Sequence, residues 1–451
     1  MIAPARRIAT RVLHRVLQDG AWAAPVLDAE LRQNPVSRAD AALATQIAYG
    51  TLRTLPDLDA ELARHAQRPI KVDEWTHAAL LGAVFQLIHL GRVPSHAVVN
   101  DTVELVRAKR GTRLAGFANA ILRKVAAQRP ELPNLPSAVV VPSWLRESLR
   151  SSLGDARTAQ LLSLGRESPS IDLRTRADLD PGSVAESIMA AQPGASVCPT
   201  ELAPRGLRVS DAADPRALPG YDEGMFAVQE EGAQLIGLLL GAQAGERVLD
   251  ACAGRGGKTA QLLEAVGETG SVVAADLHQH RLEQISAEVR RLKLDPRRLE
   301  SACVDWTVGK GGIRGQFDRV LVDAPCTGLG TLRRRPEIVL RAAPEDPAQM
   351  GETQRRVLEN AAALVRPGGA LLYAVCSPLR DEGPAVVEAA NLPGFVLNTE
   401  CASSLPGLSF GSSGRLDLGP WAPGAGPWAD AYQIYMWVNV GTFVDSSRPQ
   451  R

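Results

Sequence analysis

Two of the six cysteines in this 451-residue sequence stand in settings suited to chemistry. Cys326 lies in Asp-Ala-Pro-Cys-Thr-Gly (323–328) and Cys376 in Ala-Val-Cys-Ser-Pro (374–378), each just after an apolar run of strand character. A lone thiol in such a place is ordinarily a small core hydrophobe. Two thiols, each followed by a hydroxyl residue and each with a proline close by, form a pattern that packing alone does not ask for. A thiolate is a strong nucleophile, and covalent catalysis divides one difficult step into easier ones. One reaction that needs a thiol is methylation at C5 of cytosine. Addition of sulfur to C6 breaks the aromaticity of the ring and makes C5 enamine-like, so that C5 can take a methyl group. A base then removes the C5 proton and the thiol leaves. An acid at N3 must draw electron density from the ring, and Asp323, at the head of the first motif, is the candidate.

A second cluster supplies a ligand loop. Arg-Val-Leu-Asp-Ala-Cys-Ala-Gly-Arg-Gly-Gly-Lys-Thr-Ala (247–260) reads as a buried strand, a glycine-rich loop and the start of a helix at Thr259–Val266. A phosphate-cradling Gly-x-x-x-x-Gly-Lys-Ser/Thr loop is excluded, because its first glycine falls on Cys252. A dinucleotide Gly-x-Gly-x-x-Gly fingerprint is excluded as well, because its third glycine falls on Thr259. A nucleoside held by ribose and adenine, without a polyphosphate, remains. Such a ligand needs an acidic residue at the end of the next strand to meet the ribose hydroxyls. Asp276 ends Val-Val-Ala-Ala-Asp, and Asp305 ends the third strand, where the adenine would lie. An isolated strand-end aspartate is commonplace; three, at 276, 305 and 323, favour a pocket.

These residues need a scaffold that brings strand ends to one rim. Strand patterns at Arg247–Ala251, Ser271–Asp276, Leu299–Val304, Arg319–Asp323 and Ala370–Val375 alternate with helical ones. That alternation predicts a mostly parallel sheet with helices on both faces. Pro367-Gly368-Gly369 predicts a tight turn into the last of these strands, and Ala431–Val438 is a further strand. The first ~130 residues have helical periodicity at Ile8–Gln18, Arg38–Tyr49, Asp57–Ala66, Glu74–Leu90, Ser95–Arg107 and Leu114–Ala127. A Pro-rich stretch at 130–136 closes this bundle. Between the two, helices at Ser143–Leu153, Asp155–Leu164 and Ser183–Ala191 and strands at Ile171–Arg176 and Leu207–Ser210 suggest a small cap. The expected organisation is a helical domain over 1–135, a mixed α/β segment over 136–220 and an α/β domain over 221–451.

Composition bounds the partners. Net charge is zero, with 45% apolar and 22% charged residues, the mix of a globular protein. No apolar run approaches the ~18–20 residues that span a bilayer, and no secretory signal is evident. The scattered cysteines form no Cys-x-x-Cys pair, which predicts free thiols in a reducing cytoplasm. His278 and His280 lack a third ligand of suitable spacing, so no metal is expected. Residues 1–135 carry 18 lysines and arginines against 12 acidic residues. Ordinary scatter explains this as well as an anionic partner does. Two basic clusters, Arg333-Arg334-Arg335 and Arg107, Lys109, Arg110 and Arg113, read either as solvated faces or as phosphate contacts to RNA. A target base would have to leave its stack to reach a thiol.

Three stretches, Gly-Arg-Gly-Gly-Lys-Thr, Asp-Ala-Pro-Cys-Thr-Gly-Leu-Gly-Thr-Leu-Arg-Arg-Arg-Pro-Glu-Ile and Tyr-Ala-Val-Cys-Ser, together resemble the Sun-type, RsmB-like family of bacterial 16S ribosomal RNA cytosine-C5 methyltransferases. Arg-Arg-Ile-Ala-Thr-Arg-Val-Leu (6–13) and Phe-Ala-Asn-Ala-Ile-Leu-Arg-Lys (117–124) are similar to the NusB-like RNA-binding module that precedes its catalytic domain. The run at 225–234 resembles the helix that leads into that domain. The resemblance implies a Rossmann-like, S-adenosylmethionine-dependent methyltransferase acting on 16S rRNA, as a monomer. It implies that Cys252, Ala253, Gly254, Arg255, Gly256, Gly257 and Lys258 form the cofactor loop and that Asp276, Asp305 and Asp323 complete the pocket. It makes Cys376 the nucleophile and Cys326 the thiol that assists release of the adduct; spacing alone does not divide these roles. Arg255 replaces the usual proline and would touch the cofactor carboxylate or solvent. Val375 replaces the usual threonine, and Thr327 a frequent serine. A transfer-RNA enzyme of the same chemistry, a non-catalytic RNA-binding factor and a small-molecule methyltransferase are the alternatives. The helical module and the intact Cys376, Cys326 and Asp323 weigh against them.

Overall fold

The computed structural model describes residues 2–66, 72–127, 138–210, 214–400, 405, 407–422 and 430–441. The Pro-rich stretch at 130–136 lies outside them, as do residues 423–429 just before the last strand. The chain divides into two compact units that interleave along the sequence. One comprises Met1–Arg146, Ala159–Pro169 and Leu332–Ala342; the other comprises Glu147–Thr158, Ser170–Thr331 and Ala343–Arg451.

The first unit is helical: α1 (Pro4–Asp19), α2 (Ala23–Gln33), α3 (Arg38–Arg53), α4 (Leu55–His65), α5 (Glu74–His89), α6 (Ser95–Arg110) and α7 (Thr112–Ala127). Asp73 caps α5 by accepting from the amides of Trp75 and Thr76. The run from Ala78 to Phe85 is apolar on every side, and this part of α5 is accordingly buried all round at the centre of the bundle. Helix α2 was not expected from the pattern because Pro25 interrupts it. Pro25 falls in the first turn, where no intrahelical amide donor is needed. The remote segment Leu332–Ala342 belongs to this unit, with Leu332, Glu337 and Ile338 all buried.

Helix α8 (Ser143–Leu164) breaks at Gly154, whose φ of 77° departs from helical geometry. The two expected helices are thus one element with a kink. In the second unit, β1 (Ile171–Thr175), α9 (Pro181–Ala191), β2 (Ser196–Pro199), β3 (Gly206–Ser210) and β4 (Phe226–Val228) build a four-stranded sheet of order β2-β3-β1-β4. Its pairings are antiparallel throughout. Then follow α10 (Glu231–Leu240), β5 (Arg247–Asp250), α11 (Gly257–Ala265), β6 (Ser271–Asp276), α12 (Gln279–Arg291), β7 (Leu299–Cys303) and β8 (Phe317–Asp323). The short α13 (Ile338–Arg341) falls in the helical unit. The chain ends with α14 (Asp346–Ala362), β9 (Val365–Val375), α15 (Pro384–Ala389), β10 (Phe395–Leu397), β11 (Arg415–Leu418) and β12 (Tyr432–Asn439).

The large sheet has the order β10-β12-β9-β8-β5-β6-β7, with β11 paired to β12. Strands β5 to β9 run parallel, and β10, β11 and β12 add antiparallel pairings at one edge. Separate apolar cores cover the two faces, one around Leu262, Leu321 and Ile434 and the other around Phe317, Leu358 and Tyr373. This is the Rossmann-like arrangement expected from strand–helix alternation. Pro367-Gly368-Gly369 does not precede β9 but sits inside it. The ladder jumps from Phe317↔Val365 to Arg319↔Ala370, so the turn is absorbed as a bulge. Strands β2, β4, β10 and β11 are three or four residues long, too short to show a period of two. Among the described residues, no helix is long and apolar enough to cross a membrane.

Candidate active site

The order of the parallel strands fixes where a ligand can lie. From β5 the chain moves outward through β6 and β7, then returns to the other side of β5 with β8 and β9. The switch point lies between β5 and β8, and open α/β sheets bind ligands beyond the carboxyl ends of their strands at such a point. Asp250 ends β5, Asp276 ends β6 and Asp323 ends β8, while Cys376 follows β9. Across the switch point the Lys258 ammonium donates to Asp323 Oδ2 at 2.6 Å. Burial opposes the charge on Lys258, but Asp323, the hydrogen bond to it, Asp250 and Cys376 together hold the ammonium above its ordinary range.

The loop after β5 is folded against β6. The Gly254 amide donates to Asp276 Oδ2 at 3.0 Å, and Asp276 Oδ1 accepts from the His278 amide at 2.8 Å. Gly256 has a φ of 85°, and a Cβ there would lie 2.9 Å from two carbons of Ile285, so both the backbone angle and the packing require glycine. Helix α11 starts at Gly257, directing its first amides at the loop. Beneath it the Thr259 hydroxyl donates to Asp250 Oδ2 at 2.7 Å, while Oδ1 of Asp250 is buried with no partner among the described residues. Burial pushes the Asp250 carboxyl up to about 7. Burial, and then Asp250, push the Cys252 thiol well up.

Because β8 and β9 are parallel neighbours, the loops that follow them meet. Cys326 Sγ and Cys376 Sγ are 3.3 Å apart, and both residues are half-buried. The Cys326 loop is stitched to the Cys376 strand end by Gly330, whose amide donates to the Cys376 carbonyl at 2.9 Å. A Cβ at Gly330 would meet the Ala431 carbonyl oxygen at 2.1 Å. The hydrogen bond with Cys376, then burial, then Glu382 and Asp323 raise the Cys326 thiol well above its ordinary range. Glu382 is fully buried. Its carboxylate accepts from the Thr327 amide at 2.7 Å, the Thr327 hydroxyl at 2.5 Å, Gln354 Nε2 at 3.2 Å and the Ser377 hydroxyl. Paired thiols, a charged Lys–Asp pair and a glycine loop therefore share one rim, an arrangement able to run thiol addition chemistry beside a bound nucleoside.

Residues 237–393 match the family model for the 16S rRNA methyltransferase RsmB/F, and residues 3–127 match the NusB family. The ribosomal RNA small subunit methyltransferase B of Pseudomonas putida is 34% identical over 400 residues, covering 86% of this chain and 89% of that one. The chain belongs to the RsmB/F family of 16S rRNA methyltransferases. Two solved structures share its fold. The crystal structure of PH0851 superposes with a TM-score of 0.77 at 22% identity, covering 97% of this chain and 99% of that one. The structure of NSun6 from Pyrococcus horikoshii with SFG superposes with a TM-score of 0.57 at 16% identity, covering 66% of this chain and 98% of that one.

Within this methyltransferase the structure draws together Cys326 with Cys376, Lys258 with Asp323 and Gly254 with Asp276. Asp305 stands apart: it is exposed, two residues beyond β7, and its Oδ1 accepts from the Thr307 amide and hydroxyl. Arg255 is exposed. The reading of Arg333, Arg334 and Arg335 as a row of phosphate contacts is corrected at Arg333. That residue is buried in the helical unit, where its carbonyl accepts from Arg53 Nε and Nη2 at 3.3 and 3.2 Å. Arg335 remains exposed, with its guanidinium 6.0 Å from the Trp22 ring centroid. Two residues of the rim were missed. Asp250 carried a signal, an acidic residue just before the glycine loop. Glu382 carried none, since it acts from a turn six residues beyond Cys376.

Proposed function

We propose that this methyltransferase transfers a methyl group from S-adenosylmethionine to C5 of an unstacked cytosine in 16S rRNA, in the cytoplasm, with Cys376 as the nucleophile. The 3.3 Å approach of two half-buried thiols at the switch-point rim carries this reading. The loop Cys252–Lys258, with Asp276 and Asp250 beneath it, suits a nucleoside donor. Its glycines admit close approach, and Asp250 keeps an unpartnered buried oxygen beside it. S-adenosylmethionine bound there supplies an electrophilic methyl group. NSun6, of the same fold, was solved with SFG, an analogue of that donor.

The Cys376 thiolate adds to C6 of the cytosine, forming a C–S bond and pushing the ring electron pair toward N3 and C5. Asp323, paired with Lys258, is assigned the role of holding a proton at N3. After C5 is methylated, a base takes the C5 proton, the C–H pair restores the C5–C6 double bond, and the C6–S pair leaves with the Cys376 sulfur. Cys326, held as a thiol, is placed beside that sulfur to assist its departure. Asp305 and Arg255 are assigned to the outer edge of the donor pocket. The NusB domain, and Arg335 with Arg107, Lys109, Arg110 and Arg113, are proposed to hold the RNA backbone.

The test is tritiated-methyl transfer to undermethylated small-subunit RNA, followed by mapping of the modified base. A single cytosine labelled by the wild type and unlabelled by Cys376→Ala is the expected result. Undiminished transfer by that variant, or label on a base other than cytosine, refutes the reading; label on transfer RNA alone replaces its substrate.

A further inference from the structure

We infer that Glu382 is a positioning residue that locks the two cysteine loops in register, so that both sulfurs face one ring carbon. The inference rests on the cysteine chemistry proposed above. Three observations carry it. The Glu382 carboxylate takes four hydrogen bonds, divided between the residue after Cys326 (Thr327, amide and hydroxyl) and the residue after Cys376 (Ser377, hydroxyl), with Gln354 as the fourth donor. Gln354 also donates to the Pro325 carbonyl at 2.8 Å, so the same hub holds the residue before Cys326. Glu382 is itself fixed, because its carbonyl accepts from the Tyr373 hydroxyl at 2.6 Å and Tyr373 lies within β9.

A carboxylate is suited to this task. It has two oxygens and about four acceptor sites, and it is the only common side chain that takes donors from two loops without offering one back. Burying it costs several kcal/mol unless every oxygen is paired, so a fully paired one at this position is retained for what it holds. Its negative charge also faces Cys326, which favours the neutral thiol there. Among the described residues the Glu382 carboxylate bonds to Thr327, Gln354 and Ser377 and to neither sulfur, so it acts through the loops.

The test uses the full chain and three variants. Glu382→Gln keeps the reach but loses the charge, Glu382→Asp keeps the charge but falls one methylene short, and Glu382→Ala keeps neither. If reach matters, kcat falls in the order Gln, Asp, Ala, with the last two down on the order of 100-fold, the loss expected for about 1 Å of misplacement. KM for RNA and binding of S-adenosylhomocysteine by calorimetry stay within about two-fold of the wild type. A readout independent of turnover is capture of phenylarsine oxide, which needs two adjacent thiols and releases water on forming two As–S bonds. The wild type and Glu382→Gln capture it; Glu382→Asp and Glu382→Ala lose it, as Cys326→Ala does. Capture unchanged in Glu382→Asp and Glu382→Ala, or kcat in Glu382→Asp equal to or above that in Glu382→Gln, overturns the inference. Activity surviving in Cys376→Ala, run beside them, would instead fail the cysteine reading itself.

Discussion

Asp250→Asn tests the electrostatics of the rim most directly. Asp250 is 1% exposed, ends β5 below the donor loop and has one oxygen bonded to Thr259 and one unpartnered. Burial raises its carboxyl from the ordinary 3.8 to about 7. At about 1.4 kcal/mol per pH unit, a rise from 3.8 to about 7 is worth about 4 kcal/mol between the two protonation states. The sign follows from the raised value. The native state holds a proton that the unfolded chain has released, so this stabilisation is complete below about pH 4. It declines as pH rises and is gone above about pH 7. Asparagine cannot ionise and keeps an oxygen for the Thr259 hydroxyl. Relative to Asp250→Asn, the wild type should therefore lose up to about 4 kcal/mol of stability between pH 4 and pH 8. Native-state hydrogen exchange at Val248 and Leu249 reads the opening of β5 itself, free of unfolding in the helical unit. Parallel pH curves for the two proteins would show that Asp250 carries its charge without cost, and the reasoning would be wrong.

Further outcomes follow from the same contacts. Asp276→Ala should weaken S-adenosylhomocysteine binding by about 1–3 kcal/mol by calorimetry, since the Gly254 and His278 amides lose their acceptor. Cys326→Ala should accumulate a covalent protein–RNA adduct on denaturing gels; normal turnover without adduct would leave the second thiol a packing residue. Gly256→Ala forces φ of 85° on a residue with a Cβ and presses it on Ile285, so cofactor binding should fall at least ten-fold while the fold survives by circular dichroism. Glu337→Ala removes the acceptor of the Ala23 amide at the start of α2, 3.0 Å away. It should destabilise the helical unit by about 1–3 kcal/mol in denaturant titration, with hydrogen exchange in β5 to β9 unchanged.

Much of the scaffold was legible because its signals are local. Period-3.6 runs gave the helical unit and continuous apolar runs gave β5, β6, β8 and β9, since a parallel strand is buried on both faces. The strand ends then placed both cysteines, Asp276 and Asp323 on one rim, because parallel strands share a carboxyl edge, whereas Asp305 stands apart beyond β7. What escaped depended on contacts far apart in sequence. Nothing in Leu332–Ala342 says that it packs with helices three hundred residues earlier; Arg333 reads as a surface base until Arg53 is found on its carbonyl. Glu382 reads as one more acid in Arg-Asp-Glu-Gly, and only its bonds to Thr327 and Ser377 distinguish it. The fragment Gly257-Lys258-Thr259 is the converse case. It imitates the end of a phosphate loop, yet its lysine serves a carboxylate and its threonine a buried aspartate.

That lysine also bears on which thiol attacks. Spacing treats Cys326 and Cys376 alike, since each follows a parallel strand and faces its partner at 3.3 Å. Their electrostatic surroundings differ. Glu382 and Asp323 both add to the field that keeps Cys326 protonated. Cys376 is instead among the groups that favour the Lys258 ammonium. The Cys326 thiol therefore keeps its proton, while Cys376 lies in the field of the Lys258 ammonium. This is the division that covalent addition needs, a nucleophile beside an acid able to protonate it on departure. Removing the lysine charge should erase the distinction. In Lys258→Met, alkylation by iodoacetamide should lose its preference for Cys376, as read by peptide mass spectrometry. A preference that persists unchanged would place its origin elsewhere than in the Lys258–Asp323 pair.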